Sequence, residues 1–227
     1  MFDDPGRLYF FFDFISHNAW LAWNRIPELA RRHGLALEPV PVLFAGLLNA
    51  HGQKGPAEVP AKNQWMIWNV LRKARQLGIP LAPPHSHPFN PLLPLRLACC
   101  GQDADQRLKL IDALFRAAWA EGRPVSEAEA LRSVLAESGV DADTWLSEAA
   151  SAPAKDRLRR NTEAAVAAGV FGVPAMRVCK APGHAELFWG FDDLEYMDLF
   201  LQGRDPLGTR EEHAAWLQVR PSAQRPR

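Results

Sequence analysis

The sequence predicts an α/β protein in which one small mixed sheet is built from both ends of the chain and is interrupted by an all-helical insertion. Residues 1–45 show a strand, helix, strand pattern, and residues 169–205 return to strands and a final helix. Between them, residues 46–168 show no convincing strand. We therefore expect one split sheet-containing domain, an inserted helical subdomain of residues 46–168, and a C-terminal tail of residues 206–227.

Composition excludes several classes of protein. The 227 residues include 26 Lys plus Arg and 26 Asp plus Glu, so the formal net charge is zero. Nucleic-acid binding is disfavoured, because it relies on a basic surface that releases counterions from phosphate. No apolar run approaches the ~18 residues of a membrane span, and the acidic start Met1–Pro5 lacks the basic residues of a secretion signal. We expect a cytoplasmic protein that contacts neither nucleic acid nor membrane.

Three cysteines, Cys99, Cys100 and Cys179, do not form a disulfide framework. Their number is odd and two are adjacent, so pairing those two would strain the backbone. We expect buried or partly buried reduced thiols, as is usual in the cytosol.

The first predicted strand and helix meet at a candidate functional site. Leu8–Phe14 is almost wholly apolar and aromatic, which is typical of a central strand covered on both faces. Ser16 follows it and opens a predicted helix that ends at Gly34. Leu37–Leu43 alternates and contains two prolines, which predicts an edge strand. Two strands joined through a helix should be parallel, with a right-handed crossover.

The middle of the chain predicts a series of helices. Apolar residues recur at helical spacing, and two starts carry capping signals. The predicted helices are Gln64–Leu77, Leu108–Trp119, one opened by a capping box at Ser126–Glu129, one capped by Asp141, and Lys155–Ala168.

The last part predicts a hairpin and a helix. Ala175–Cys179 and Leu187–Trp189 form two short strands around a Pro182–Gly183 turn, and Asp192–Leu201 follows as a helix. The complete order, βαβ, a helical block, then ββα, predicts a thioredoxin-like fold with an inserted helical subdomain. The insertion should form a cleft where the first helix starts.

Ser16 stands at the reactive position of such a fold, where redox members carry a Cys-x-x-Cys motif. Here the four residues are Ser16-His17-Asn18-Ala19, so no thiol is available for disulfide exchange at this place. A hydroxyl beside a helix N-terminus could instead donate to a bound thiolate. The alternative is that Ser16 serves only as an N-cap.

A second segment should face Ser16. Gly172-Val173-Pro174 immediately precedes the late hairpin, and in this fold that loop lies opposite the first helix. We expect the Val173–Pro174 bond to be cis, with the Val173 backbone directed toward a ligand. An ordinary trans turn is the alternative, because only ~5–6% of X–Pro bonds are cis in folded proteins.

Several segments together resemble one family. In chain order they are Phe12–Ser16, Pro60–Lys62, Gly78–Leu81, Asn161–Thr162, Gly169–Pro174 and Phe188–Asp192. This set is similar to 2-hydroxychromene-2-carboxylate isomerases and kappa-class glutathione transferases, which belong to the DsbA-like thioredoxin superfamily. The resemblance covers residues 7–203.

The resemblance implies glutathione as cofactor and assigns roles to single residues. Ser16 matches the serine that activates the glutathione sulfur, and Val173 and Pro174 match the pair that holds the cysteinyl part. Lys62 matches a lysine that reaches the glycyl end, and Asp192 matches the acid that holds the γ-glutamyl ammonium. The alternatives are that Lys62 is a solvated surface residue and that Asp192 only caps the last helix.

The reaction implied is cis-trans isomerisation of an aromatic-pyruvate substrate through a transient thiolate adduct, which makes a C=C bond briefly single. A small aromatic substrate, a role in aromatic degradation and no metal follow from it, and a homodimer is left open. A kappa-type glutathione transferase or peroxidase is the rival enzyme. A non-catalytic thioredoxin-like binding module is the rival from another class.

Two departures from the family pattern stand out. His17 replaces the usual proline after the serine, so it is either a titratable group beside the sulfur or an exposed first-turn residue. Phe191 and Asp193 replace polar and basic neighbours of the matching acid, which removes contacts to the γ-glutamyl carboxylate.

Aromatic side chains could line a substrate pocket. Together with His17, the candidates are Trp20, Phe44, Trp65 and Trp68. Each of these aromatic residues could instead belong to the core, which is the commoner fate of a Trp at helical spacing. A metal pair at His85 and His87 is a weaker alternative, because two histidines lack the further ligands that a site needs.

Overall fold

The computed structural model describes residues 2–101, 103–181, 184–208 and 211–222, and it contains one four-stranded mixed sheet. The strands are β1 (Arg7–Phe12), β2 (Ala36–Pro41), β3 (Ala175–Cys179) and β4 (Ala185–Trp189). Their order is β2-β1-β3-β4; β1 and β2 are parallel, and the other two pairs are antiparallel. The predicted topology is confirmed, with β2 at an edge. The Pro182–Gly183 turn lies outside the described residues.

The central strand β1 has two buried faces, as its apolar run predicts. Leu8, Phe10 and Phe12 enter one hydrophobic core, while Tyr9 and Phe11 enter a second core on the opposite face. Because side chains alternate along a strand, a strand that is covered on both sides must be apolar throughout.

Eleven α-helices surround the sheet within the described residues. They are α1 (His17–Trp23), α2 (Ile26–Arg32), α3 (Phe44–Ala50), α4 (Pro60–Leu77), α5 (Leu92–Leu97), α6 (Ala104–Trp119), α7 (Ala128–Glu137), α8 (Ala142–Ala150), α9 (Ala152–Ala167), α10 (Leu194–Leu201) and α11 (Ala214–Leu217). Short 3₁₀ turns cover Pro56–Glu58 and Glu211–His213.

Two local predictions were wrong. The single helix expected between Ser16 and Gly34 is broken at Asn24 and Arg25, because Pro27 in the first turn of α2 cannot continue a helix from α1. The capping box at Ser126–Glu129 does not form either. The N-cap of α7 is Glu127, which makes no side-chain capping bond.

The Asp141 cap is confirmed, because its carboxylate accepts a hydrogen bond from Thr144 N at 2.8 Å. All three cysteines are free and buried, as predicted. Burial raises the pKa of Cys99 and Cys100 to about 12, so both remain thiols at neutral pH.

The inserted helices and one face of the sheet share a continuous core. Phe115 of α6 packs on Phe14 with ring centroids 4.7 Å apart and on Phe12 at 5.4 Å. Trp119, from the same helix, donates its indole N–H to Phe14 O at 2.7 Å. The helical block is therefore held on the sheet at the end of β1, the end from which α1 starts.

A groove of about 460 Å³ lies between α3, α5 and α9, lined by Leu43, Gly46, Leu92 and Leu158 among others. None of the candidate site residues lines it. In the part of the chain that the structure describes, no helix has both the length and the apolar composition needed to cross a membrane.

Candidate functional site

A buried carboxylate organises the loop between β1 and α1. The Asp13 side chain is fully buried, and its two oxygens accept hydrogen bonds from Ile15 N at 3.1 Å and Phe44 N at 2.9 Å. Its own carbonyl accepts from Ser16 N at 3.0 Å. Burial raises the pKa of Asp13 to about 7 against the opposing effect of the two N–H donors. Asp13 thus ties the Ser16 loop to the start of α3.

Asp13 was not among the site residues predicted from the sequence. The available signal was one acidic residue inside the otherwise apolar run from Leu8 to Phe14. A buried acid in such a run requires hydrogen-bond donors, and here two backbone amides supply them.

Ser16 is the N-cap of α1 and meets the late loop. Its hydroxyl oxygen accepts from Ala19 N at 3.1 Å, and its O–H donates to Val173 O at 3.4 Å. The Val173–Pro174 bond is cis, as predicted. Among the described residues, no hydrogen-bond partner is found for Val173 N–H. Capping and a second function of Ser16 are therefore compatible, because the cap uses a lone pair and leaves the O–H as a donor.

His17 is buried, not a solvated first-turn residue. Its side chain lies among aromatic rings, with centroids 6.1 Å from His87 and 5.7 Å from Trp119, and its Nδ1 finds no hydrogen-bond partner in the part of the chain that the structure describes. Burial, with smaller electrostatic effects of His87 and Lys73, lowers the pKa of His17 to about 4. The imidazole is neutral at pH 7 and brings no positive charge to Ser16.

The two histidines of the predicted metal alternative make separate contacts. His87 Nε2 donates to Ile15 O at 3.1 Å, whereas His85 is exposed, 4.0 Å from the Glu127 carboxylate. Within the described residues, no cluster of three or more metal-ligating side chains is found. His87 instead helps to hold the β1–α1 loop.

Asp192 is paired with a lysine. Lys73 Nζ lies 2.7 Å from each carboxylate oxygen of Asp192 and 5.4 Å from the centroid of the Phe191 ring. Asp192 does not cap the last helix. The α10 helix begins at Leu194, and the neighbouring Asp193 carboxylate accepts from Trp189 N at 2.9 Å.

One face of α4 borders the same region. On an ideal helix Lys62, Met66, Asn69 and Lys73 fall within about 60° of arc. Because Lys73 reaches Asp192, this face is directed toward the β4–α10 loop. Lys62 is exposed at the N-terminal end of this face. No signal in the sequence singled out Lys73, because its partner lies 119 residues away.

The predicted aromatic residues are not assembled into one pocket. The structure places Trp20 in the core, 2% exposed, with its indole N–H donating to Pro80 O at 3.0 Å. Phe44 is half-buried at the start of α3. Trp65 and Trp68 are 61% and 55% exposed on α4. The structure therefore brings together Ser16, Val173 and Pro174, and separately Lys73 and Asp192.

Comparisons with known proteins agree with this architecture. A family model described as a DSBA-like thioredoxin domain matches residues 7–202. The chain belongs to the DSBA-like thioredoxin family. A 2-hydroxychromene-2-carboxylate isomerase of Sphingobium xenophagum is 31% identical, over 85% of this chain and 96% of the relative. Glutathione S-transferase kappa 2 of Caenorhabditis elegans is 28% identical, over 85% and 90%.

A solved structure of a 2-hydroxychromene-2-carboxylate isomerase has the same fold. It superposes with a TM-score of 0.78 at 26% identity, covering 93% of this chain and 99% of the other. The resemblance and the DsbA-like fold predicted from the sequence are thus confirmed. Relatives that are named isomerases and transferases support an enzyme related to glutathione chemistry within the DSBA-like family.

Proposed function

We propose that this protein is a glutathione-dependent isomerase of the 2-hydroxychromene-2-carboxylate isomerase type, with Ser16 as the residue that stabilises the glutathione thiolate. The observation that carries the proposal is the contact of the Ser16 hydroxyl with Val173 O in the loop that precedes the hairpin. The similarity to isomerases over nearly the whole chain supports the reaction class.

The residues at this place fit a thiol-containing tripeptide. Val173 offers an N–H without a partner among the described residues, and an extended peptide can pair with such a backbone group as a strand would. Asp192 and Lys62 are the candidates for the γ-glutamyl and glycyl ends. Asp192 is 76% exposed, and therefore open to a ligand.

Ser16 has a donor that can be redirected. Its O–H reaches Val173 O at 3.4 Å, which is long for an O–H donor and therefore weak. Rotation of the hydroxyl toward a sulfur would cost little, while the bond from Ala19 N keeps the oxygen in place. Glutathione when bound supplies a thiolate able to add to a conjugated double bond and leave again.

The required stabilisation is within reach of one hydroxyl. A cysteine-like pKa of ~8.5 must fall by about two units for the thiolate to dominate at pH 7, which corresponds to about 2.7 kcal/mol. A hydrogen bond to a charged group contributes about 1.5–3 kcal/mol. A neutral, buried His17 supports this proposed role for Ser16, because no cation then stands at position 17.

The test compares Ser16→Ala with wild type in two assays. The thiolate absorbance of bound glutathione is titrated against pH, and glutathione-dependent interconversion of 2-hydroxychromene-2-carboxylate and the open trans-benzylidenepyruvate is measured. We expect the pKa of the bound thiol to rise by about 1–2 units in Ser16→Ala. Turnover at pH 7 should fall with the thiolate fraction. An unchanged titration with undiminished turnover would exclude Ser16 as the activator.

Ser151→Ala is the matched control for the capping role. Ser151 is also an N-cap whose hydroxyl accepts a backbone N–H, from Ala154, but it starts α9. Both variants lose about 0.5–2 kcal/mol of cap stabilisation, and only Ser16→Ala should change the thiol titration.

The kappa transferases among the relatives favour a second candidate, glutathione transfer to an electrophile. Activity on a generic electrophile without activity on the benzylidenepyruvate would select the transferase. Glutathione binding without either activity would select a binding module.

A further inference from the structure

The cation that glutathione needs at its γ-glutamyl end is missing from the loop that carries Asp192. That loop reads Gly190, Phe191, Asp192 and Asp193, so it holds two acids and no base. The Asp193 carboxylate is already engaged by Trp189 N. An α-amino acid group carries both an ammonium and a carboxylate, and the loop by itself offers a partner only for the ammonium.

We infer that Lys73 supplies the missing cation, so that the Lys73–Asp192 pair receives the γ-glutamyl zwitterion, Lys73 binding its carboxylate and Asp192 its ammonium. The inference rests on the proposed use of glutathione and deepens it. It assigns a second binding residue on α4, in addition to Lys62, to a ligand whose other proposed contacts lie in the thioredoxin-like part.

The geometry of Lys73 suits this role. Its side chain is only 18% exposed, while Asp192 is 76% exposed, so the acid faces solvent and the ammonium is held beneath it. Lys73 Nζ lies 5.4 Å from the centroid of the Phe191 ring. This cation–π contact helps to hold the ammonium in position and does not occupy a carboxylate. In the described part of the chain, Asp192 is the one carboxylate that Lys73 contacts.

Binding would not require the pair to separate. An ammonium has three donors, and the two Asp192 oxygens have about four lone-pair positions. Lys73 can keep one bond to Asp192 and donate another to an incoming carboxylate, while Asp192 accepts from the incoming ammonium. Each charge of the zwitterion then meets an opposite charge, and the site stays neutral overall.

The second lysine of the same face lies at a suitable spacing. Lys62 and Lys73 are eleven positions apart on α4, about 16 Å along the helix axis. An extended tripeptide spans roughly 10 Å, and the flexible lysine stems can cover the remainder. Two lysines on one face could therefore each take one of the two carboxylates of glutathione.

The test pairs protein variants with glutathione analogues that each lack one charge. 4-Aminobutyryl-Cys-Gly lacks the α-carboxylate, and glutaryl-Cys-Gly lacks the α-ammonium. Affinities of the three reduced ligands are measured by titration calorimetry for wild type, Lys73→Met and Asp192→Asn. Lys73→Arg serves as the charge-conserving variant.

We expect Lys73→Met to weaken glutathione binding about tenfold, a typical loss for one charge-assisted contact at a partly exposed site. The same variant should bind 4-aminobutyryl-Cys-Gly as wild type does, because that analogue lacks the α-carboxylate that Lys73 would bind. Asp192→Asn should weaken glutathione but not glutaryl-Cys-Gly. Lys73→Arg should retain most of the affinity.

Arg75→Met is the matched control, because it removes an exposed cation from the same helix about 200° away from Lys73. It should leave all three affinities unchanged. Equal glutathione affinity in wild type and Lys73→Met would overturn the inference alone. So would an equal loss for glutathione and 4-aminobutyryl-Cys-Gly, which would mark Lys73 as structural. Absence of glutathione binding to wild type would overturn the proposed function and this inference with it.

Discussion

The two ends of the candidate site are built in opposite ways. At the deep end, Asp13 and His17 are buried, and the Asp13 carboxylate is enclosed by backbone donors. At the shallow end, Lys73 and Asp192 meet as one ion pair whose acid is 76% exposed. Desolvation shifts the pKa of Asp13 and His17 strongly, whereas solvent reaches the Asp192 carboxylate of the ion pair.

This contrast indicates which part of the site can rearrange when a ligand binds. Buried polar groups are costly to disturb, because a lost partner leaves an unsatisfied donor or charge away from water. An ion pair with one exposed partner leaves that partner open to water, so the Asp192 carboxylate can exchange partners. The deep end is therefore suited to holding Ser16 still, and the shallow end is suited to admitting a ligand.

The largest effect on stability is expected at Asp13. Asp13→Ala leaves the partly buried amides of Ile15 and Phe44 without their acceptors, at up to about 1–3 kcal/mol each, so we expect the free energy of unfolding in urea to fall by roughly 2–5 kcal/mol. The pKa of Asp13 is raised to about 7 from about 3.9 in the unfolded chain. Its stabilising contribution is therefore greatest below pH 4 and declines as the pH rises to 7.

The Asp13→Asn variant distinguishes the effect of the hydrogen bonds on stability from the effect of Asp13 ionisation. It keeps one acceptor oxygen and cannot ionise, so it should lose less free energy of unfolding, relative to wild type, than Asp13→Ala does. Both losses should shrink by a similar amount between pH 5 and pH 8. Losses that are independent of pH would contradict a raised Asp13 pKa in the folded protein.

A smaller effect is expected at His17, with the opposite pH dependence. Its folded pKa of about 4 lies below the unfolded value of about 6.5, so the unfolded chain takes up a proton first as the pH falls. Wild type should lose up to about 3 kcal/mol relative to His17→Phe between pH 6.5 and pH 4. Unfolding free energies measured across this range for both proteins would show the divergence.

His85→Phe controls for the loss of a histidine as such, because His85 is exposed. It should follow the pH dependence of wild type. A His17→Phe variant that runs parallel to wild type down to pH 4 would mean that His17 is solvated rather than buried.

The smallest effect on stability is expected at the shallow end. Asp192→Asn should change the free energy of unfolding by less than about 1 kcal/mol, because the acid is mostly exposed and the amide oxygen can still accept a hydrogen bond from Lys73. The change should diminish further in high salt, as expected for a screened pair. A loss as large as that of Asp13→Ala would show that both ends are structural and would remove the contrast between them.

Much of the fold followed from local patterns in the sequence. The apolar run of β1 required a central strand, and the prolines of β2 required an edge, because proline cannot donate to a ladder. The break between α1 and α2 was missed, although Pro27 signals it, because the apolar spacing continues across the break. The Ser126 capping box was wrong because the pattern does not fix the first residue of the helix, and the N-cap of α7 is Glu127.

Part of the candidate site could also be predicted from local patterns in the sequence. Ser16 could be named because it directly follows a strand and opens a helix, and Val173–Pro174 because of its place before the hairpin. The roles of Lys62, Asp192 and the aromatic residues stay predictions. Trp20 was placed in the core by its indole bond to Pro80, a contact that no periodicity reveals.

By itself the sequence determined the element order, the absence of a thiol pair at the first helix and the loop that faces Ser16. These depend on neighbours along the chain and on residue chemistry. The tertiary structure alone decided that His17 is buried and neutral, that Asp13 links two loops and that Lys73 reaches Asp192. Burial and long-range pairing depend on which segments pack together, and they shift charge and hydrogen bonding in ways that local sequence does not encode.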